Sequence, residues 1–300
     1  MNHGPQPQYG PQYGYGYAFP HPPPPDPPEL PEGASPYPRW PAWYGPAAMG
    51  LGLALSFVLI VIYGIISTAA GGHAKASSPA FVQVATLLQD VVFVSCALFL
   101  AARTLRPRPW HFGLGPSRFW STLGWMALAY VGFVVFEIAY SAVVHPSAKQ
   151  NIVRELGARH NSVALVTGAL LVVVVAPLAE EFFFRGFFYR SLRTRMGVLP
   201  AALIVGVVFG SIHYENPHTA VILPVLAVLG VIFCLVYERT GTLFSTIVLH
   251  AINNALAYGV ETHEGWVAAA VLAALVTGCL VAARVIPARV PRRRRPAFAT

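Results

Sequence analysis

Long apolar blocks alternate with short polar breaks along most of this chain. Blocks long enough to cross ~30 Å of hydrocarbon at a helical rise of ~1.5 Å per residue fall near Ala47–Ala70, Pro79–Ala102, Phe119–Val144, Val163–Phe188, Val198–Tyr214, Ala220–Tyr237, Thr242–Val260 and Gly265–Val285. The pattern predicts an all-α fold, a polytopic transmembrane bundle of about eight helices. Met1–Tyr44 has a different character: it is rich in Pro, Tyr, Gly and Gln, with almost no aliphatic residue to build a core. It reads as a disordered cytoplasmic tail. It lacks a basic start followed by an apolar block, so it does not read as a cleavable signal peptide. Residues 288–300 form a second, basic cytoplasmic tail, which leaves 45–287 as the transmembrane helical domain.

Composition strengthens the membrane reading. Charged residues make up 11% of the chain, where a soluble domain carries roughly 25%. The net charge of +8 is gathered in alternate breaks: Arg103, Arg106, Arg108 and Arg118; Arg190, Arg193 and Arg195; Arg239; then Arg289 and Arg292 to Arg295. The breaks between these are poorer in Arg, with Lys149, Arg154 and Arg159 as the exception. The positive-inside rule therefore predicts a multi-pass protein of the cell (plasma) membrane with both termini in the cytoplasm. This charge needs no nucleic-acid partner, and the four-Arg run suits anionic lipid in the bilayer. Cys96, Cys234 and Cys279 all fall in apolar blocks without metal-ligand spacing. They read as packing residues, which argues against a thiol protease.

The candidate chemistry sits where polar groups break into apolar blocks. Glu180 and Glu181 are adjacent at the end of the run Val163–Ala179, with Arg185 four residues after Glu181. Each carboxylate costs roughly 2.5–3.5 kcal/mol at a membrane helix centre, so such groups mark function by default. At i and i+4, Glu181 and Arg185 meet as an ion pair, while Glu180 points to a neighbouring face and is available as a base. Pro177 removes a backbone donor and predicts a kink just before them. His213 ends a later block within Phe209-Gly-Ser-Ile-His213. His250 and Asn254 share one face of another, and both carry hydrogen-bond donors of the kind an oxyanion or a metal-bound water requires. Counting the helical rise from the Arg-rich ends places Glu180, His213 and Asn254 at similar depth, roughly 18–22 Å along their helices. Asn253 is rotated off that face. Asp90 and Glu137 also lie in apolar blocks, and read as bonding to neighbouring helices or lining a cavity rather than as catalysts.

Glu180-Glu181-Phe-Phe-Phe-Arg185, Phe209-Gly-Ser-Ile-His213 and His250-Ala-Ile-Asn-Asn254 resemble the EExxxR, FxxxH and HxxxN motifs of the CPBP family. That family comprises CAAX prenyl endopeptidases and the Abi-type bacteriocin-processing or bacteriocin-immunity proteins. The resemblance covers roughly Val163–Tyr258, a protease core at about 163–260, and every motif position is present. It implies an intramembrane endopeptidase acting on a membrane-associated peptide or protein. Glu180 would activate water, His213 would hold that water, and His250 and Asn254 would stabilise the oxyanion. Glu181 and Arg185 would keep their helix in shape.

Three points stay open in the sequence. The family has been read both as metallopeptidase and as a glutamate enzyme without metal. His213, His250 and Glu180 would suit zinc as two His and one carboxylate, yet there is no HExxH helix. Other functions compete as well: a non-catalytic membrane scaffold or bacteriocin self-immunity protein on the same fold, and a small transporter relaying protons through Asp90, Glu137 and Glu180. Transporters commonly carry internal repeats, and the two halves of this chain show none. The substrate is not legible either: the chain's own end, Ala-Phe-Ala-Thr300, has no prenylation Cys, and nothing identifies a prenylated target.

Overall fold

The computed structural model describes residues 40–69, 78–145, 152–159 and 161–286. Most of the two tails and parts of two inter-helix segments lie outside these residues. Among the described residues seven helices are long and apolar enough to cross a membrane, and an eighth, apolar helix is shorter. In chain order they are α1 (Tyr44–Ala69), α2 (Pro79–Ala102), α3 (Phe119–Val144), α4 (Ser162–Leu192), α5 (Val198–Ser211), α6 (Thr219–Thr240), α7 (Leu243–Thr262) and α8 (Gly265–Val285). The protein is thus an all-helical, multi-pass membrane protein, and no strand occurs among the described residues. The apolar blocks and the helices agree to within a few residues at each end.

Local chemistry sets several of those ends. The Ser78 side chain accepts from the Phe81 N–H ahead of Pro79, so α2 begins with a side-chain cap and a proline where a missing donor costs nothing. Asn161 caps α4 by accepting from Ala164 N–H. Gly241, in the left-handed region at φ 70°, ends α6 and lets the chain turn at once into α7. The folded body already takes in Trp40, which is fully buried between the rings of Phe112 and Phe187.

The helices pack through two apolar clusters, of which the larger takes in α4. Within the main core, α4 contributes Phe183, Phe184, Phe187, Phe188 and Tyr189, which meet Phe93 and Cys96 of α2, Phe209 of α5 and Ile247 of α7. A second cluster joins Met126 and Phe133 of α3 to Leu229, Phe233 and Val236 of α6 and Leu249 of α7. The outward faces carry exposed apolar side chains such as Phe57, Ile65, Val135 and Val281, as lipid contact requires. Trp43, Trp120 and Trp266 are exposed at helix ends, where an interfacial aromatic belt belongs. All three cysteines are free and buried.

The Arg-rich end of the bundle is tied together by polar contacts. Arg193 makes a two-pronged contact with Glu238, its Nη2 at 2.9 Å from Oε1 and its Nε at 3.2 Å from Oε2, and Tyr189 donates to Glu238 at 2.8 Å. Arg190 donates to Tyr237, whose hydroxyl donates in turn to the Phe112 carbonyl. Thr242 donates to the Gly115 carbonyl at 2.8 Å, so the α2–α3 connection is held under the start of α7. At the opposite end Gln83 donates to the Leu156 carbonyl, and Arg159 binds the Glu261 carbonyl.

The short helix α5 owes its place to glycine. A methyl group on Gly206 would lie 2.7 Å from the Ala227 carbonyl oxygen, and one on Gly210 would lie 2.8 Å from the Ala227 nitrogen and the Leu223 oxygen. Backbone thus lies against backbone between α5 and α6, the close approach that small residues permit in membranes. At 14 residues α5 is roughly 21 Å long and ends at Ser211, so His213 lies in the turn beyond it, not on the helix. Gly210→Val should destabilise the fold by about 1–3 kcal/mol through overpacking, read as a lower thermal unfolding midpoint in detergent. Gly132→Val, where a side chain would meet nothing within 4 Å, should leave it unchanged. Equal melting of the two variants would contradict the packing described.

Candidate active site

The site is built on an irregular stretch of α4. Residues Leu171–Val175 form a widened turn, Ala176–Glu181 are regular, and Phe182–Tyr189 widen again into π-helix. Pro177 explains the first widening. Its ring would clash with the carbonyl of the residue four positions back in a regular helix, and opening to i→i+5 bonding relieves this. Ala176 N–H accordingly bonds the Leu171 carbonyl. In that register the donor for the Val172 carbonyl would be residue 177, a proline without N–H. Asn254 fills the gap: its Nδ2 donates to the Val172 oxygen at 2.9 Å. One amide N–H of Asn254 is therefore spent on docking α7 to α4, and the other is what a reacting oxygen could use.

Four residues after Pro177, Glu181 carries the centre of the site. Its Oε1 accepts from Arg185 Nη1 at 2.8 Å and from His250 Nδ1 at 2.9 Å. Glu181 and Arg185 are both 0% exposed. Arg185 also donates to the Gly230 carbonyl at 2.9 Å and faces the rings of Phe209 and Phe233 at 4.6 and 5.0 Å. The expected i,i+4 pair is present, and it reaches further than expected, into α6 through Gly230 and into α7 through His250.

Phe209 links the second and third motifs. Its ring lies 4.9 Å from that of His213 and 5.8 Å from that of His250, while Arg185 stacks on it. His213 Nδ1 lies 2.7 Å from the Phe209 carbonyl oxygen. A carbonyl only accepts, so Nδ1 carries the proton and, in the neutral ring, Nε2 is left as an acceptor. The same logic applies to His250: Nδ1–H points at Glu181, so its Nε2 accepts when the ring is neutral and donates only when it is imidazolium.

Glu180 stands apart from this network. It is half-buried, and its Oε2, like Oε2 of Glu181, is fully buried without a hydrogen-bond partner; unlike Glu181, it has no bonded Arg or His. Glu181, Arg185 and His250 are therefore bonded directly, His213 is joined to them through Phe209, and Asn254 is joined through the α4 backbone. Glu180 lies beside them in sequence with a carboxyl oxygen uncommitted. Among the described residues no three His, Cys, Asp or Glu side chains are grouped so as to hold a metal ion. The set of His213, His250 and Glu180 that could have suited zinc is not grouped in this way among the described residues.

Sequence reasoning passed over two contributors. Phe209 was visible only as the first letter of a motif, although its ring is what three polar groups share. The Val172 carbonyl had a signal: a proline five residues on removes the donor that a widened turn would use.

This arrangement coincides with a family match. Residues 162–256 match the family described as type II CAAX prenyl endopeptidase Rce1-like. Over this stretch the chain is similar to the CPBP family, to which that description belongs. The chain is also 28% identical over 174 residues to YyaK, an uncharacterised protein of Bacillus subtilis (strain 168). That alignment takes in 54% of this chain and 56% of YyaK, so the chain spans about half the length of this relative. No solved structure matches significantly. The protease character of the family supports a hydrolase at the family level.

The ion-pair geometry makes a stability prediction. Glu181→Gln leaves Arg185 buried without its countercharge, a loss of about 3–5 kcal/mol for breaking a buried pair. Glu180→Gln removes no bonded partner of Arg185. Thermal unfolding in detergent should drop clearly for Glu181→Gln and little for Glu180→Gln. The reverse order would contradict the assignment of Glu181 as the paired carboxylate.

Proposed function

We propose that this protein is an intramembrane endopeptidase that hydrolyses peptide bonds of membrane-associated peptides or proteins with a glutamate-activated water. The observation that carries the reading is the buried Glu181–Arg185–His250 assembly with the uncommitted Glu180 carboxyl beside it, on the segment that matches a prenyl-endopeptidase family. In this reading a water donates one hydrogen to Glu180 and the other to Nε2 of His213, whose tautomer suits an acceptor. Glu180 takes the proton as the water oxygen attacks the carbonyl carbon. The oxyanion is met by the second N–H of Asn254 and, when the His250 ring carries a second proton, by its Nε2–H, with the ring aimed by the Nδ1–H bond to Glu181. Glu180 then returns its proton to the departing amine as the C–N bond breaks. Glu181 and Arg185 touch neither water nor substrate; they hold His250 and the widened helix in place.

Orientation belongs to the same proposal. The Arg-rich helix ends face the cytoplasm of the cell membrane, with both termini on that side. Reporter fusions at the two ends should give the same cytoplasmic signal, and a split result would overturn the topology.

Glu180→Gln should abolish hydrolysis of peptides released by the wild type while the protein still folds, because an amide of the same shape cannot take the proton. Comparing the peptides released from membranes by the two proteins identifies the substrate as well. Wild-type turnover by Glu180→Gln would end the reading. Asn254→Ala should lower kcat by about 100- to 1000-fold, the usual effect of one oxyanion donor, and change KM less. Because the mechanism uses no metal, chelators should leave turnover unaffected. Reversible loss on removal of stoichiometric zinc would make His213 and His250 ligands instead.

A further inference from the structure

Asp90 of α2 is a buried carboxyl that the mechanism above does not use. It is 6% exposed, and its Oδ2 has no hydrogen-bond partner among the described residues. Two ring contacts locate it. Phe93 packs edge-on against Phe183 at 4.8 Å. Phe93 lies three residues after Asp90, and Phe183 three residues after Glu180. With α2 and α4 running the same way in the alternating bundle, and i,i+3 pairs sharing a helix face, that contact sets Asp90 and Glu180 side by side at one level. The two carboxyls act on each other electrostatically. Each presents a buried, unbonded oxygen, Oδ2 of Asp90 and Oε2 of Glu180.

A further unbonded oxygen, on α1, lies close in register. Gly52 of α1 meets the Phe93 ring, and Tyr63 stacks on Phe81 at 5.1 Å. The antiparallel register between those contacts puts Ser56, buried at 3% with its hydroxyl unpartnered, within about one turn of Asp90. The charged and titratable groups that face this spot are few. Arg185 and His250 are both bonded to Oε1 of Glu181, Glu181 Oε2 and Arg185 Nε are buried without partners, and Cys96 lies further along α2. The buried face of α1 offers only Gly45, Ala48, Met49, Gly52 and Ser56, and Tyr63 of α1 is about 13 Å along α2 from Asp90, at the level of Phe81.

We propose that Asp90 and Glu180 form a carboxyl pair holding a single proton, in which neutral Asp90 is a positioning residue that donates its O–H to the Glu180 carboxylate. Two adjacent carboxyls without a cation of their own do not both ionise in an apolar setting. One proton on the pair removes that conflict, aims the Glu180 carboxylate and leaves its other oxygen for water. The proton on Asp90 is not consumed: Glu180 accepts and returns the water's proton while Asp90 keeps its own. The inference rests on the peptidase reading for the task of Glu180, but not for the existence of the pair.

Infrared spectroscopy of the purified protein tests the pair without any substrate. At neutral pH the wild type should show a deuterium-sensitive C=O stretch of a protonated carboxyl. Asp90→Asn should lose it, and Glu180→Gln should shift it. A band that persists in Asp90→Asn, or that Glu180→Gln leaves unmoved, overturns the pair. In turnover, Asp90→Asn retains an N–H donor toward Glu180, so it should lose less activity than Asp90→Leu, which should fall about 10- to 100-fold for a hydrogen bond to a charged group. The pair titrates as a unit, so the wild type loses activity at high pH when its last proton leaves, and Asp90→Asn should lack that alkaline limb. An unchanged limb overturns the proposal, and if Asp90→Leu fails to fold the Asn variant still decides. A wild type with the band pattern but no proteolysis supports the pair and removes the peptidase reading. Intact proteolysis with the band kept in Asp90→Asn removes the pair alone.

Discussion

Everything at the centre of this bundle depends on how a buried carboxylate is neutralised. Glu181 sits at 0% exposure with two donors on one oxygen, Arg185 from its own helix and His250 from α7. Burying a charge in an apolar interior costs several kcal/mol unless it is paired and bonded, so the three side chains have little freedom once the helices pack. Arg185 extends the constraint to α6 by donating to the Gly230 carbonyl. That carbonyl is reachable because Gly230 lies where α6 approaches Gly206 of α5 so closely that an added methyl would meet backbone. A single ion pair thus bonds three helices, α4, α6 and α7, to one another.

The irregular helix is the second element of the design. Widened turns before and after Ala176–Glu181 re-aim side chains that a regular helix would send elsewhere, as such bulges commonly do at functional sites. They also free backbone carbonyls, which is tolerated inside a membrane only where a neighbour satisfies them. Asn254 does so at Val172. The same residue type therefore joins two tasks: it locks the irregular helix to α7, and it leaves one N–H next to the groups that would handle a peptide carbonyl.

Aromatic rings insulate the site from the lipid side. Phe184, Phe209 and Phe233 surround the Arg185 guanidinium, and Phe209 and Phe233 also bear on His250. Excluding water from these charges strengthens each interaction. Three helices then bring unbonded oxygens toward the opposite side, where Glu180, Asp90 and Ser56 stand. The bonded Glu181–Arg185–His250 cluster thus adjoins a region of unbonded oxygens, and Oε2 of Glu181 is itself one of them.

Much of this was legible along the chain. The apolar block lengths determined the eight helices, because only helices satisfy a backbone in lipid. The i,i+4 spacing determined the Glu181–Arg185 pair, and the three motifs marked the segment that the family match later covered. What one-dimensional spacing could not carry was the assignment of partners across helices. His250 spends its Nδ1 on Glu181 and Asn254 spends one N–H on Val172, because the widened turns shift the helix phase in a way a fixed 3.6-residue period does not describe. The short α5 leaves His213 in a turn, with its tautomer set by the Phe209 carbonyl. Asp90 belonged to no motif, and its neighbourhood with Glu180 follows from a Phe–Phe contact between two helices about 90 residues apart in the chain. Hydrophobic length determines that a helix forms; only packing decides which of its faces meets which neighbour.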